Sequence, residues 1–88
     1  MKYKIFNVTP KRSGKRFFDM YNDCTFDVDV SGNSATAYFF NNESGFSRSA
    51  KVFGDNPSAL IQNSVFSLIK LLSVKNYFDD VDFSSRPE

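Results

Sequence analysis

The feature that most constrains the fold is an alternation of apolar and polar residues between Phe18 and Val30. An alternation with a period of two places one row of side chains in the core and the other in water, as in a half-buried β-strand. The apolar row is interrupted only by Asn22, and 13 residues is long for one strand. We therefore predict a turn or bulge at residues 21–23 that divides the segment into two strands.

Three more segments have the composition of strands. Lys2 to Thr9 is rich in β-forming residues and is followed by a proline, which cannot donate a ladder hydrogen bond. Ala35 to Phe40 and Phe46 to Phe53 each follow a short polar segment, 31–34 and 41–45, with the residues typical of tight turns. Strands joined by such turns indicate consecutive hairpins, a β-meander.

The segment after these strands has the signals of an amphipathic helix. Asn56 suits the N-cap, Pro57 the first helical position and Asn76 the C-cap. Five apolar residues fall within a stripe of about 100° on a helical wheel: Ile61, Val65, Leu68, Ile69 and Leu72. We predict one α+β domain over residues 1–83, an antiparallel β-meander of four to five strands with one C-terminal amphipathic helix packed on one face, and a flexible tail at 84–88.

The composition lacks the residues on which most catalytic and metal sites depend. There is no histidine, and Cys24 is the only cysteine, so neither an ordinary zinc site nor a Ser-His-Asp or Cys-His arrangement can be built. Asp27 and Asp29 share a strand face, where an acidic pair can bind Mg²⁺ or transfer protons, but a charged outer row also keeps a strand soluble. We predict that the protein is not an enzyme and uses no metal or cofactor.

Cysteine usage and the absence of targeting signals suggest a location. Cys24 lies in the apolar row and is expected to be a buried, unreactive thiol, and a single cysteine excludes an internal disulfide. Neither a signal-peptide pattern nor an apolar run of about 20 residues is present. These features predict a cytoplasmic protein with no membrane partner.

Charge is segregated along the chain although the net charge is only +1. Residues 1–16 contain only basic charges and residues 17–43 only acidic ones. Four cations lie on one predicted hairpin tip: Lys11, Arg12, Lys15 and Arg16. Such a tip can contact phosphates or an acidic protein surface. The opposite use is also open, because strand carboxylates two residues apart, such as Asp27 and Asp29, stand about 6.6–6.8 Å apart and can imitate a row of phosphates.

Without catalytic residues, surface complementarity is the remaining route to function. The leading hypothesis is a non-catalytic binding module that inhibits or modulates a larger protein or ribonucleoprotein by occupying a charged surface. Its contacts would come from the basic tip or from Asp27 and Asp29. Phe66, on the polar side of the helix, would either anchor the partner or simply cover the margin of the sheet. The small size, the many Asn, Ser and Phe residues and the lack of a catalytic set resemble accessory proteins of phages and mobile elements, anti-CRISPR inhibitors among them; such a protein would act in the host cytoplasm.

Two other functions are compatible with the sequence. Single-stranded nucleic acid would bind the basic tip and stack its bases on aromatic residues of the sheet face away from the helix. The candidate stacking residues are Phe17, Tyr21, Tyr38 and Phe40. The remaining alternative is a structural homodimer paired edge to edge.

Overall fold

A five-stranded antiparallel sheet is the framework of the protein, and a helix of 16 residues packs on one of its faces. The computed structural model describes residues 1–10, 23–72 and 81–88. In chain order the elements are β1 (Lys2–Pro10), β2 (Cys24–Ser31), β3 (Ser34–Asn41), β4 (Ser47–Phe53), α1 (Pro57–Leu72) and β5 (Val81–Pro87). The predicted α+β class, an antiparallel sheet with one helix on it, is confirmed by this arrangement.

The strands lie in the order β4-β3-β2-β1-β5. β2, β3 and β4 form two consecutive hairpins, as predicted. In the turn between β2 and β3, Gly32 has a φ of 61°, a conformation that favours a residue without a Cβ. After α1 the chain returns to the far side of β1, so that Tyr3 aligns with Pro87 and Ile5 with Ser85. The described elements therefore enclose one core between α1 and the sheet.

The predicted alternation decides which side chains enter that core. On β2 and β3 the residues Phe26, Val28, Ala37 and Phe39 are buried toward α1, and the rings of Phe26 and Phe39 meet edge to face with centroids 5.9 Å apart. Ala37 is fully buried between Val28 and Ala50, its cross-strand neighbours. Small side chains here let the helix approach the sheet closely, because the interior is packed without large voids.

Helix α1 begins as predicted. The Asn56 side-chain oxygen accepts hydrogen bonds from the N–H groups of Ser58 (2.9 Å) and Ala59 (3.3 Å), which otherwise have no partner in the first turn. The buried face consists of Leu60, Ile61, Ser64, Val65, Leu68 and Ile69, whereas Leu72 is half-buried. The buried Ser64 hydroxyl donates to the Ile61 carbonyl at 2.9 Å. The proposed C-cap, Asn76, lies outside the described residues, and no helix within them is both long and apolar enough to cross a bilayer.

The end of the chain differs from the sequence-based expectation. Residues 84–88 were expected to form a flexible tail, but Ser84 to Pro87 belong to β5, and Phe6 and Lys4 of β1 align with Ser84 and Arg86. The Glu88 N–H extends the pairing by donating to the Lys2 carbonyl at 2.9 Å. The side chains of this polar segment do not favour a strand by themselves. The segment forms a strand because the edge of β1 offers partners for its backbone N–H and C=O groups.

Strand β1 is bent by a bulge. The pairing register with β5 shifts between Phe6 and Thr9, and Asn7 has a φ of 54°. Asparagine is among the few residues other than glycine that adopt this left-handed conformation readily. The extra residue brings both Ile5 and Val8 to the buried side, although they are three positions apart.

Candidate binding surface on the outer sheet face

The sheet face opposite α1, here called the outer face, exposes three large aromatic side chains. Tyr38 is 49%, Phe40 44% and Phe53 75% exposed to solvent. Tyr38 and Phe40 belong to β3, and Phe53 lies opposite Ser34 at the far end of the same strand pair. Because apolar rings are costly to leave in water, exposed aromatic side chains on one sheet face indicate a contact surface. These three residues are called the aromatic patch below.

Small residues on β4 make the patch accessible from the side. Tyr38 lies opposite Ser49, and Phe40 lies opposite Ser47. Since the serine side chains rise little above the sheet, a groove of about 540 Å³ remains beside the two rings, with Arg48 at its border. The groove therefore lies between the aromatic residues of β3 and the edge of the sheet.

Toward β1 the outer face is charged but largely compensated. Lys2 lies opposite Asp29 and Lys4 lies opposite Asp27. Desolvation raises the pKa of Asp27, and a hydrogen bond and charge repulsion from Glu88 raise it further, whereas Lys4 and Lys2 lower it. The Asp29 carboxylate also lies 3.5 Å from the amino group of Met1. Opposite charges on neighbouring strands stabilise the sheet and reduce the net field of this half of the face.

Three cations of the described residues lie over aromatic rings. The Arg48 guanidinium is 4.4 Å from the centre of the Phe46 ring, and the Lys51 ammonium is 5.4 Å from that of Phe53. The Arg86 guanidinium is 5.4 Å from the centre of the Phe6 ring. Such contacts fix the position of a cation without neutralising it, so Arg48 and Lys51 keep a positive charge at defined places along β4.

A second groove, of about 310 Å³, lies between α1 and β5 and contains Phe66. Phe66 is half-buried, and its ring meets that of Phe83 edge to face with centroids 5.9 Å apart. The polar part of the lining consists of Ser58, Gln62, Asp82 and Ser85. The contact with Phe83 favours the view that Phe66 covers the margin of the sheet, where it is only partly available to a partner.

Three features of the described residues bear on chemical reactivity. They contain no group of three or more acidic, cysteine or histidine side chains placed to bind a metal ion. Cys24 is half-buried rather than fully buried, and desolvation raises the pKa of its thiol. Because the thiolate is the reactive form, a raised pKa makes Cys24 a poor nucleophile. A hydrogen bond with Asp23 and its negative charge raise the pKa of Glu43. Both side chains are exposed, Asp23 just before β2 and Glu43 in the turn after β3.

The structure places only part of the predicted site. The basic tip (Lys11, Arg12, Lys15, Arg16) and the aromatic residues Phe17 and Tyr21 lie outside the described residues. Asp27 and Asp29 lie together with Tyr38 and Phe40 on the outer face, since Asp27 pairs with Tyr38 across β2 and β3. Phe66 lies on the other side of the sheet, on α1. Phe53 and Arg48 were not singled out from the sequence, because their importance depends on the strand order, which places β4 at an edge of the described sheet beside Tyr38 and Phe40.

Comparison with known proteins adds no functional assignment. No family model, curated protein or solved structure matches this chain. The functional interpretation therefore rests on the chemistry of the outer face, on which exposed rings and compensated charges lie side by side.

Proposed function

We propose that the chain is a non-catalytic binding module that inhibits or modulates a larger protein or ribonucleoprotein by occupying one of its surfaces with the outer sheet face. The observation that supports this most is the aromatic patch of Tyr38, Phe40 and Phe53. Buried at an interface, a single large ring removes 150–250 Å² from water, and aromatic residues dominate the binding energy of most protein interfaces. The phage-accessory class named from composition stays a prediction.

The charges of the described outer face favour a protein partner over a nucleic acid. Three cations, Lys2, Lys4 and Arg86, are matched in number there by three acids, Asp27, Asp29 and Glu88. Lys51, opposite Thr36, leaves an excess of only one positive side chain. Phosphate binding depends on uncompensated cations, which displace condensed counterions. A surface of paired charges beside exposed rings instead resembles the rim and core of a protein interface.

Capture from a host-cell lysate tests this function. The immobilised protein should retain one partner in stoichiometric amount, and the double substitution Tyr38→Ala/Phe40→Ala should reduce that retention by at least tenfold. The matched control is Leu71→Ala, because Leu71 is an apolar side chain that is 59% exposed on α1, away from the patch. The control should bind like the wild type. Equal retention by the double variant and the wild type, with both folded by circular dichroism, would refute the proposal.

Single-stranded nucleic acid is the second candidate, and one observation favours it. Tyr38 and Phe40 are exposed on the same face two residues apart, which is about 6.6–6.8 Å along a strand, so bases can stack on both. The predicted basic tip would then supply the phosphate contacts. A fluorescent oligonucleotide would show anisotropy at low salt that falls steeply as salt is added, and it would lose most of this signal when Lys11, Arg12, Lys15 and Arg16 become alanine. No anisotropy change at low salt would exclude this candidate.

A further inference from the structure

We propose that β4 is the docking edge of this surface, and that it pairs with an extended acidic segment of the partner protein, which adds to the sheet as a further antiparallel strand. This inference rests on the proposed function and specifies the chemistry of the partner. Strand addition of this kind draws affinity from main-chain hydrogen bonds and specificity from pockets for alternate side chains. β4 offers the backbone edge, the groove and the charge that such a segment needs.

The backbone edge follows from the hydrogen-bond pattern between β3 and β4. Asn41 N–H donates to the Phe46 carbonyl, and Gly54 N–H donates to the Asn33 carbonyl. In an antiparallel pair every second residue is hydrogen-bonded to the neighbouring strand. The even-numbered residues of β4 therefore bond to β3, and the N–H and C=O groups of its odd-numbered residues point away from the sheet.

No described element of the chain pairs with these outward groups. β4 is the outermost strand in the described sheet. The Ser47 carbonyl accepts a hydrogen bond from the Arg48 guanidinium at 2.9 Å, but within the described ranges the outward groups of Ser49, Lys51 and Phe53 have no hydrogen-bond partner. An exposed edge with unpaired backbone groups is a template for another strand.

The groove adds side-chain specificity to this edge. Its 540 Å³ lie above Ser47 and Ser49, between the edge and the rings of Tyr38 and Phe40. The same two serines have outward backbone groups and side chains on the outer face. A residue paired with Ser49 would thus place its side chain over the serine and against the aromatic patch, which favours a large apolar side chain there.

The charge on β4 selects an acidic occupant. Ser47–Phe53 contains two cations, Arg48 and Lys51, and no acid. A second copy of β4 would bring only cations to the interface, so self-pairing is disfavoured. Glu43 precedes the strand and Asp55 follows it, so acids in the occupant are favoured only opposite the middle of β4. The acidic segment is therefore short.

The register specifies a sequence pattern for this segment. Read from its N-terminus, an antiparallel occupant meets Lys51 first and Ser47 last. The predicted order is acid, any residue, apolar, acid, apolar. The two acids lie opposite Lys51 and Arg48. The two apolar residues lie opposite Ser49, where a large side chain is favoured, and opposite Ser47. The two acids are three positions apart and lie on opposite faces of the added strand, as Lys51 and Arg48 do on β4.

A fluorescein-labelled nine-residue peptide with Glu-Val-Leu-Glu-Leu at its centre is the probe. The anisotropy of this peptide at low salt should show saturable binding to the protein. A control peptide with Lys-Val-Leu-Lys-Leu at its centre should bind with at least tenfold lower affinity. Ser49→Pro should weaken binding at least tenfold, because proline there removes an outward N–H and no bond to β3, whereas Leu71→Ala, on the exposed side of α1, should bind like the wild type. If Ser49→Pro fails to fold, N-methylation of the peptide on the edge that faces β4 makes the same test, with methylation of the opposite edge as control.

Three results of the peptide measurements would overturn the inference: no binding of the Glu peptide, equal binding of both peptides, or binding that is unaffected by both Ser49→Pro and N-methylation. A dimer of the free protein that Ser49→Pro dissociates would also overturn it, in favour of a second copy as occupant. These outcomes are distinct from failure of the proposed function. If the peptide fails but Tyr38→Ala/Phe40→Ala still reduces partner capture, only the edge-strand inference falls.

Discussion

At the scale of the residue, β3 places large aromatic side chains both in the core and in water. Ala35, Ala37 and Phe39 enter the core, whereas Tyr38 and Phe40, of similar apolar character to Phe39, stay in water. No local preference of the residues explains this difference, because the period of a strand places neighbours on opposite faces whatever their polarity. The exposed rings are thus a property of the sequence that folding does not require, which is why we assign them to binding.

The carboxyl group of Asp27 makes stability depend on pH. Its pKa is raised above the ordinary value of 3.8, first by desolvation and then by Glu88, so the folded protein binds the proton more tightly than the unfolded chain. The stabilisation from that proton is complete below pH 3.8 and is lost as the pH rises through the raised value. Urea midpoints measured from pH 3.5 upward should therefore fall less in Asp27→Asn than in the wild type.

A second variant separates the causes of this effect. Glu88→Gln removes the repelling charge but leaves the desolvation of Asp27, so its pH dependence should lie between those of the wild type and Asp27→Asn. If the midpoints of all three proteins follow the same curve with pH, the carboxyl pair has no effect on folding.

At the scale of the element, α1 depends on its first turn. Asn56 accepts hydrogen bonds from the N–H groups of Ser58 and Ala59, and its carbonyl accepts one from Leu60 N–H at 2.9 Å. Asn56→Ala removes the side-chain acceptor and should lower the free energy of unfolding by about 1 kcal/mol. Asn56→Asp keeps the acceptor and should stay within about 0.5 kcal/mol of the wild type.

Chemical denaturation of the two variants checks this prediction. Asn63→Ala is the control, because Asn63 is exposed in the helix interior and alanine is a better helix former there. If the free energy of unfolding falls no more in Asn56→Ala than in Asn63→Ala, the cap does not stabilise the fold.

The elements also show how far sequence reasoning reaches. β3 and α1 follow from the periods of 2 and 3.6 in their own residues, and so do the positions of Tyr38 and Phe40. β5 does not, because residues 84–88 have no apolar period and become a strand only through the edge that β1 offers. The docking edge of β4 is hidden for a related reason. Strand order decides which backbone groups lack a neighbour, and strand order is a property of the whole sheet.

At the scale of the whole molecule, the two faces of the sheet have different surroundings. α1 covers the inner side of β2, β3 and β4, and the pairing of β5 with β1 joins the last described strand to the first. The outer face carries both the aromatic patch and the compensated charges of β1 and β2, and the edge of β4 borders this face. In the proposed function, the outer face is the side of the sheet that contacts the partner.

The most direct test of this division is hydroxyl-radical footprinting of the protein alone and bound to the captured partner. Oxidation reports the solvent exposure of individual side chains, and Tyr38, Phe40, Phe53 and Leu71 are all exposed in the free protein. We predict that oxidation of the three aromatic residues falls several-fold in the complex while that of Leu71 is unchanged. Protection of Leu71 with undiminished oxidation of Tyr38, Phe40 and Phe53 would contradict the assignment of the outer face as the binding surface.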